Sequence, residues 1–209
     1  MKVLESLRHK LNINAELSGQ EKKTNKIINA FLEKTNPDVH LKNIGGYGII
    51  VIFKGKETGK NILIRADIDG LNIPLVESRK TKDQSQYSHR CGHDGHTAIL
   101  CGLAMRYGKK RPEKGDVILL FQPAEETLQG ARNMIEHGIL TDPKPDAALA
   151  FHVTSGQMPV GAYFYNNTGT MMFSVDGFRI TVRGKGAHGA YPHHAIDPIH
   201  IAVHVYLAL

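Results

Sequence analysis

The chain is 209 residues long, which suffices for one large domain or for one domain and part of a second. Hydrophobic residues make up 41% of the sequence, so we expect a buried core and exclude an intrinsically disordered protein. The formal net charge of +6 comes from scattered lysines and arginines without an aromatic-interleaved basic motif, so nucleic acid is not expected as a partner.

The first elements along the chain are two predicted helices. Residues 2–11 place leucines at helical spacing among charged residues, which is typical of an amphipathic helix rather than of a signal peptide. A second helix is predicted to begin with Ser18 as its N-cap, to carry Glu21 in a capping-box pattern, and to continue through Glu33. No apolar run of about 18 residues occurs, so we expect a cytoplasmic protein without a membrane partner.

Short apolar segments that alternate with helical segments follow. The predicted strands are residues 48–53 and 61–65, which we expect to form a strand pair, and residues 116–121 and 146–151. The predicted helices after them are residues 97–107 and 130–137. Continuous apolar strands alternating with helices indicate an α/β fold, in which helices cover both faces of a mostly parallel sheet.

Polar residues come directly after three of these strands. Asp69 follows the second strand, Glu125 and Glu126 follow the third, and His152 follows the fourth. In open α/β sheets, ligands bind beyond the carboxyl ends of the strands. The sequence therefore predicts a binding or catalytic site at this edge of the sheet.

Cys91, His93 and the two adjacent glutamates have the chemistry of a hydrolytic metal site. Residues two apart in an extended loop point to the same side, so Cys91 and His93 can reach one ion. Glu125 and Glu126 point in opposite directions on an extended segment, so one can bind a metal while the other faces a substrate. Ligands for a Lewis acid together with a general base are what metal-assisted hydrolysis needs.

Each candidate site residue also has a purely structural interpretation. Cys91 taken alone would be a small buried residue, and Glu125 with Glu126 would be an acidic pair at the start of a helix. His152 would be a core histidine, and His188 would be a loop residue. The placement of the glutamates after a buried strand, and of His152 at the end of a strand, favours a role in a site over these alternatives.

The sequence changes character after about residue 169. Residues 173–183 alternate apolar and polar residues and are predicted as a half-exposed strand, which precedes a glycine-rich turn and an apolar helix over residues 199–209. One strand and one helix cannot bury both of their faces alone. We therefore predict a first domain over residues 1–171 and the beginning of a second domain over residues 172–209.

Five stretches together resemble the M20 family of metallopeptidases, and within it the amidohydrolase branch of aminoacylase-like and hippurate-hydrolase-like enzymes. In chain order they are 65–71 (RADIDGL), 89–96 (HRCGHDGH), 121–126 (FQPAEE), His152 and 184–190 (GKGAHGA). The resemblance covers the N-terminal portion of the family's chain. It implies a zinc-peptidase-like α/β catalytic domain followed by the start of a smaller α+β lid or dimerisation domain.

The resemblance also implies a centre of two divalent metal ions, zinc or manganese. Cys91 would bridge the two ions, and the further ligands would be His93, Glu126 and His152. Glu125 would act as the general base and later as the acid. His188 would lie in the lid and help to stabilise the tetrahedral intermediate, across the interface of a homodimer.

Three outer residues complete the implied site. Asp69 would orient a metal ligand, and Asp94 and His96 are better suited as partners of the ligands than as ligands themselves. Residues 11–16 (LNINAE) depart from the family's pattern, because they lack a histidine and a proline that the branch usually has there. The family's chain is also longer than this sequence and supplies a last histidine ligand near its C-terminus.

These observations lead to one functional expectation and to rivals from other classes. We expect a metal-dependent hydrolase that cleaves the amide bond of N-acyl amino acids or of small peptide-like substrates. The first rival is a catalytically incomplete metal-binding or dimerisation fragment of such an enzyme. The second is a basic nucleic-acid binder, which steeply salt-dependent binding of DNA or RNA would reveal.

Overall fold

The computed structural model describes residues 2–73, 86–154, 156, 159–166, 168–170, 174 and 177–209. The chain divides into two compact units, Met1–Pro159 and Val160–Leu209. The boundary predicted between residues 171 and 172 lies outside the described residues. The sequence also predicts a polar loop over residues 77–87, and most of that loop lies outside the described residues as well. The division into a catalytic domain and a lid domain therefore stays a prediction.

The first unit is built on a five-stranded sheet with the order β1-β2-β4-β3-β5. The strands are β1 Val39–Ile44, β2 Gly48–Phe53, β3 Ile62–Asp67, β4 Val117–Gln122 and β5 Ala147–Ala150. β3 is parallel to both β4 and β5, whereas β2 is antiparallel to both β1 and β4. Four strands therefore point the same way and only β2 is reversed, which confirms the predicted α/β fold with a mostly parallel sheet.

The strand pair predicted for β2 and β3 is wrong. β4 lies between them, and its Leu119 is in register with Val51 of β2 on one side and with Ile64 of β3 on the other. β4 is buried along its whole length and therefore occupies a central position in the sheet. The sequence does not predict the polar edge strand β1, because none of its residues is buried and they lack an apolar run.

Helices cover both faces of this sheet. α1 Lys2–Ile13, α2 Lys22–Leu32 and α3 His93–Lys109 pack on one face, and α4 Gly130–Glu136 packs on the other. Alternate residues of each strand serve the two cores: Val51 and Leu119 face the three helices, whereas Ile50 and Leu120 face Met134 of α4. No helix in the described parts of the chain is long and apolar enough to cross a membrane.

The capping box predicted at Ser18 is wrong. α2 begins only at Lys22. Oε2 of Glu16 accepts hydrogen bonds from the first N–H groups of this helix, at 2.8 Å from the Lys23 nitrogen and 2.9 Å from the Thr24 nitrogen. The Ser18 hydroxyl instead donates to Oδ2 of Asp69 at 2.7 Å. A carboxylate accepts a stronger hydrogen bond than the hydroxyl could make as a cap, so the long-range contact is preferred.

The described part of the second unit contains a short 3-10 helix, Pro192–His194, and one α-helix, α5 Pro198–Ala208. Asp197 caps α5 by accepting hydrogen bonds from the backbone of Ile199 and His200. Residues 177–183, which belong to the predicted strand 173–183, form no strand. Among residues 177–209, the strand-like backbone pairing is a single bridge between Lys185 and Ile196. No described residue of this unit is buried.

Candidate metal centre

The candidate site lies where the predicted ligands meet, beyond the carboxyl ends of β3, β4 and β5. Cys91 Sγ is 3.3 Å from His152 Nε2, and His93 Nε2 is 3.7 Å from Glu126 Oε1 and 4.0 Å from Glu125 Oε2. Among the described residues, three groups of three side chains have their ligand atoms within 4.8 Å of one another. Two of them contain the predicted ligands: Cys91, His93 and His152, and His93, Glu125 and Glu126. The third is Asp67, His93 and His96. His93 belongs to all three groups and is therefore the centre of the cluster.

Gly92 brings Cys91 and His93 together. It adopts a left-handed φ of 93° immediately before α3, so the two side chains converge through a turn rather than along the extended loop we expected. A Cβ atom at this position would also overlap Cγ2 of Val153. A glycine is therefore required both by the backbone conformation and by the close approach of the segment that carries His152.

His93 is held in one tautomer. Its Nδ1 lies 2.9 Å from the carbonyl oxygen of Asp69 and 3.2 Å from Oδ1 of the same residue. Both atoms are acceptors, so Nδ1 carries a proton, and in the neutral ring Nε2 is a lone pair that faces the site. This arrangement is the one found for histidines that bind metals.

Two atoms of the cluster are buried without a hydrogen-bond partner among the described residues. They are Nε2 of His93 and Oε1 of Glu126, which face each other at 3.7 Å. Burying an unpaired lone pair costs about 1–3 kcal/mol, so such atoms in a native protein call for a ligand. Imidazole, thiolate and carboxylate together form a donor set that suits a borderline ion such as Zn²⁺. The residues present therefore fit a divalent metal.

Asp67 and His96 connect the strands around the cluster. His96 Nδ1 donates to Asp67 Oδ1 at 2.6 Å, and Arg65 Nη1 donates to Asp67 Oδ2 at 2.9 Å. On its other side, His96 accepts the N–H of Val153 at Nε2, 2.8 Å away. His96 thus ties α3 to the residue that follows His152 and uses both ring nitrogens in these contacts, while its expected place outside the ligand set stays a prediction.

Asp94 also lies outside the cluster. Its Oδ2 accepts from Asn12 Nδ2 at 2.9 Å and from Arg8 at 3.3 Å, so it anchors α1 to the beginning of α3. Asn12 stands within the stretch that departs from the family's usual pattern. The departure therefore affects this anchoring contact rather than a candidate ligand.

Burial and negative charge set the protonation of the cluster. Burial, together with the charges of Glu126 and Glu125, raises the pKa of Cys91 to about 12. Burial alone would lower the pKa of His93, but its hydrogen bond to Asp69 and the charges of Asp67 and Asp69 outweigh this and raise it. Burial raises the pKa of Glu125 as well. A site that resists thiolate formation and attracts a proton to its histidine has excess negative charge, which a divalent cation would neutralise.

His188 lies in the second unit. Its Nδ1 accepts from the N–H of Ala190 at 3.2 Å, and its ring contacts that of Tyr191 with centroids 6.0 Å apart. These local contacts fit a loop residue as well as a lid residue. Its predicted catalytic role therefore stays a prediction.

Residues 63–198 match peptidase family M20/M25/M40. The chain is 40% identical over 202 residues to an N-acetylcysteine deacetylase of Bacillus subtilis, covering 93% of this chain and 50% of the relative. It is 38% identical over 208 residues to a hippurate hydrolase of Campylobacter jejuni, covering 98% of this chain and 53% of the relative. A dinuclear metal-binding M20 peptidase of Bacillus subtilis has a similar structure, with a TM-score of 0.65, 38% identity, and coverage of 73% of this chain and 43% of the other.

The chain spans about half the length of the curated relatives it matches. The matched residues 63–198 include the whole cluster from Cys91 to His152 and also His188. The α/β fold, the geometry of the cluster and these similarities agree, and the chain belongs to peptidase family M20/M25/M40.

Proposed function

We propose that the chain carries the metal centre of an amidohydrolase that cleaves the amide bond of N-acyl amino acids or of small peptide-like substrates. The observation that carries this proposal is the pair of buried, unpartnered atoms, His93 Nε2 and Glu126 Oε1, beside Cys91, Glu125 and His152. Similar proteins that bear the names N-acetylcysteine deacetylase and hippurate hydrolase support amide hydrolysis of small molecules as the reaction class.

The proposed ligands of two divalent ions, zinc or manganese, are Cys91 as the bridge together with His93, Glu126 and His152. The ions, when bound, polarise the scissile carbonyl and lower the pKa of water. The dinuclear metal-binding peptidase of similar structure supports the number of ions. The thiol of Cys91 must lose its proton to bind, so we expect metal uptake to release protons.

Glu125 is the proposed general base and later acid. Its side chain is 31% exposed, so it can face a substrate, and burial raises the pKa of its carboxyl towards the range in which it both accepts and returns a proton. It would take a proton from the attacking water and deliver it to the leaving amine. His188 is the proposed stabiliser of the tetrahedral intermediate, supplied across a homodimer formed by the second unit.

The alternative is a catalytically incomplete metal-binding or dimerisation fragment. It is supported by the share of each relative that this chain covers, about half. A cytoplasmic location belongs to the same set of proposals.

Metal content per chain, measured beside hydrolysis of a panel of N-acetyl and N-benzoyl amino acids, tests the proposal. Cobalt is a useful probe, because its bond to a thiolate gives a charge-transfer absorption band. Cys91→Ala should lose that band and at least one ion. Cys101→Ala is the matched control, since Cys101 is fully buried in α3 and outside the cluster.

Each outcome of this experiment has one meaning. Metal with turnover would support the amidohydrolase. Metal without turnover would support the incomplete fragment, and the longer protein should then be assayed. An unchanged cobalt band in Cys91→Ala would contradict the bridging role, and a wild-type chain that binds no metal would contradict the proposed centre.

A further inference from the structure

Two buried carboxyl groups accept hydrogen bonds from the backbone N–H groups of the residues on either side of Glu125. Glu21 Oε1 accepts from Ala124 at 2.8 Å, and Asp69 Oδ2 accepts from Glu126 at 3.0 Å. The two acceptors come from segments far away in the sequence, and Glu21 is separated from Ala124 by 103 positions. The loop that carries the two site glutamates is therefore fixed at both ends of Glu125.

Glu21 has no other evident reason to be buried. It is 0% exposed, and no ion pair to it is found among the described residues. Its Oε1 also accepts from the N–H of Gly19 at 2.9 Å, while its Oε2 is buried without a hydrogen-bond partner. It makes no side-chain cap for α2. A buried carboxyl without a cation destabilises a fold, so its position calls for a role other than stability.

The loop is strained at Ala124, and the N–H of this residue needs an acceptor from outside the loop. Ala124 has a φ of 50°, a left-handed conformation that costs a residue with a Cβ about 1–2 kcal/mol. Its carbonyl oxygen is bonded within the loop, by the N–H of Gly130 at 3.1 Å. Its N–H has Glu21 as its partner. Without that acceptor, the N–H would be buried and unpaired, and relaxing the backbone would turn Glu125 and Glu126.

A short turn joins the two acceptors. Ser18 donates its hydroxyl to Asp69, and the next residue, Gly19, donates its N–H to Glu21. Asp69 in turn accepts from His93. The segment from Ser18 to Glu21 therefore connects the loop of the two glutamates to the residue that orients the central histidine.

We propose that Glu21 is a positioning residue for the site: its carboxyl holds the N–H of Ala124 and thereby sets the direction of Glu125 and Glu126. This inference rests on the proposed metal centre for its functional consequence. The clamp itself, which is the hydrogen bond from the Ala124 N–H to the Glu21 carboxyl, exists in the metal-free protein. Removing the acceptor should loosen the loop and weaken the metal site, while replacing the carboxyl by another acceptor of the same length should restore both.

Amide hydrogen exchange in the metal-free 209-residue chain tests the clamp directly. Glu21→Met removes the acceptor, Glu21→Asp withdraws it by one methylene, and Glu21→Gln keeps a carbonyl oxygen in place. We expect exchange of the Ala124 N–H to become about tenfold faster in the first two variants and to stay near the wild-type rate in Glu21→Gln. Glu5→Met, which changes an exposed glutamate of α1, is the control and should leave the rate unchanged.

The contrary results are equally definite. Wild-type exchange at Ala124 in both Glu21→Met and Glu21→Asp would overturn the inference, and so would equal acceleration in Glu5→Met. If Glu21→Met fails to fold, the comparison of Glu21→Asp with Glu21→Gln decides the question, because neither introduces an apolar side chain.

Metal affinity provides the second measurement. Cobalt titration should show binding weakened by about 10- to 100-fold in Glu21→Met and restored in Glu21→Gln, with the thiolate band of Cys91 still present. Wild-type affinity in Glu21→Met would overturn the positioning role while leaving the metal centre intact. A wild-type protein that binds no cobalt would contradict the proposed function, and the exchange measurement would still decide whether Glu21 holds the loop.

Discussion

Glu125 and Glu126 are neighbours in sequence with different surroundings. Glu126 has its N–H fixed by Asp69 and one carboxyl oxygen buried without a partner, whereas Glu125 is the more exposed of the two and has a pKa raised by burial. We therefore expect Glu125→Gln to retain metal and to lower turnover of the active protein by about 10²- to 10⁴-fold. Glu126→Gln should instead lose metal. Metal analysis beside turnover checks this, and metal loss in Glu125→Gln would identify Glu125 as a ligand.

His40 should make stability depend on pH. Burial, followed by the charge of Lys42, lowers its pKa, although Glu33 opposes this, and its Nε2 donates to Asn29 Oδ1 at 2.7 Å. The unfolded chain therefore binds a proton more readily than the folded one. The stability that neutral His40 contributes is present above its unfolded pKa of about 6.5 and is lost as the pH falls through the interval down to its folded pKa.

Urea unfolding from about pH 7.5 to about pH 5.5 measures this effect. We expect wild type to lose stability relative to His40→Gln as the pH falls, because glutamine does not titrate. Parallel pH profiles of the two proteins would show that protonation of His40 costs the fold nothing.

The roles of some single residues can be predicted from the sequence, whereas those of others cannot. Glu125, Glu126 and His152 could be predicted because each follows an apolar strand, and strand ends converge in this fold. The sequence pattern predicts Glu21 as part of a capping box, because a local pattern cannot reveal an acceptor for a backbone group 103 positions away. The only sequence signal for Asp67 is its alternation with Arg65 and Asp69 at the carboxyl end of β3.

At the scale of elements, the turn from β4 into α4 is the tightest part of the site. Gly130 begins α4, and a Cβ atom there would overlap the carbonyl oxygen of Pro123. Gly130→Ala should therefore destabilise the protein by about 1–3 kcal/mol despite the better helix propensity of alanine, and should weaken metal binding by moving Glu126. Urea unfolding and cobalt titration measure the two effects.

Gly95 offers the matched control for this substitution. It lies in the first turn of α3, has no left-handed φ, and nothing lies within 4 Å of a Cβ atom built on it. Gly95→Ala should raise stability by up to about 1 kcal/mol. A Gly130→Ala protein as stable as Gly95→Ala would show that the β4–α4 turn can adjust.

The order of the strands in the sheet could not be predicted from the sequence. β2, β3 and β4 each contain an apolar run, and an apolar run does not specify which neighbouring strand it pairs with. Only pairing across long separations places β4 between the other two. The identity of the strands and the position of the site at their ends could be read from the sequence, whereas the pairing required tertiary structure.

At the scale of the whole molecule, the two units differ in what they bury. The first has a continuous core on each face of its sheet. In the second, no described residue is buried, and large side chains such as Phe164, Tyr165 and Leu207 are more than 70% exposed. The amides of residues 177–209 should therefore exchange with solvent much faster than those of β2 and β4. Comparable protection in both units would mean that the second one is covered in solution.

In the proposed homodimer, the exposed apolar side chains of the second unit would be covered by the second unit of another copy. Apolar side chains exposed in a monomer are buried on self-association, so protection of residues 177–209 should rise with protein concentration, in step with the mass measured by sedimentation. Tyr206→Glu would place a charge on the exposed apolar surface of α5 and should abolish that rise, whereas Glu5→Gln on α1 should preserve it. A chain that remains monomeric, with unprotected amides at every concentration, would contradict dimerisation through this unit. In that case His188 of one copy would not reach the site of another, and its proposed catalytic role across the interface would fail for this chain.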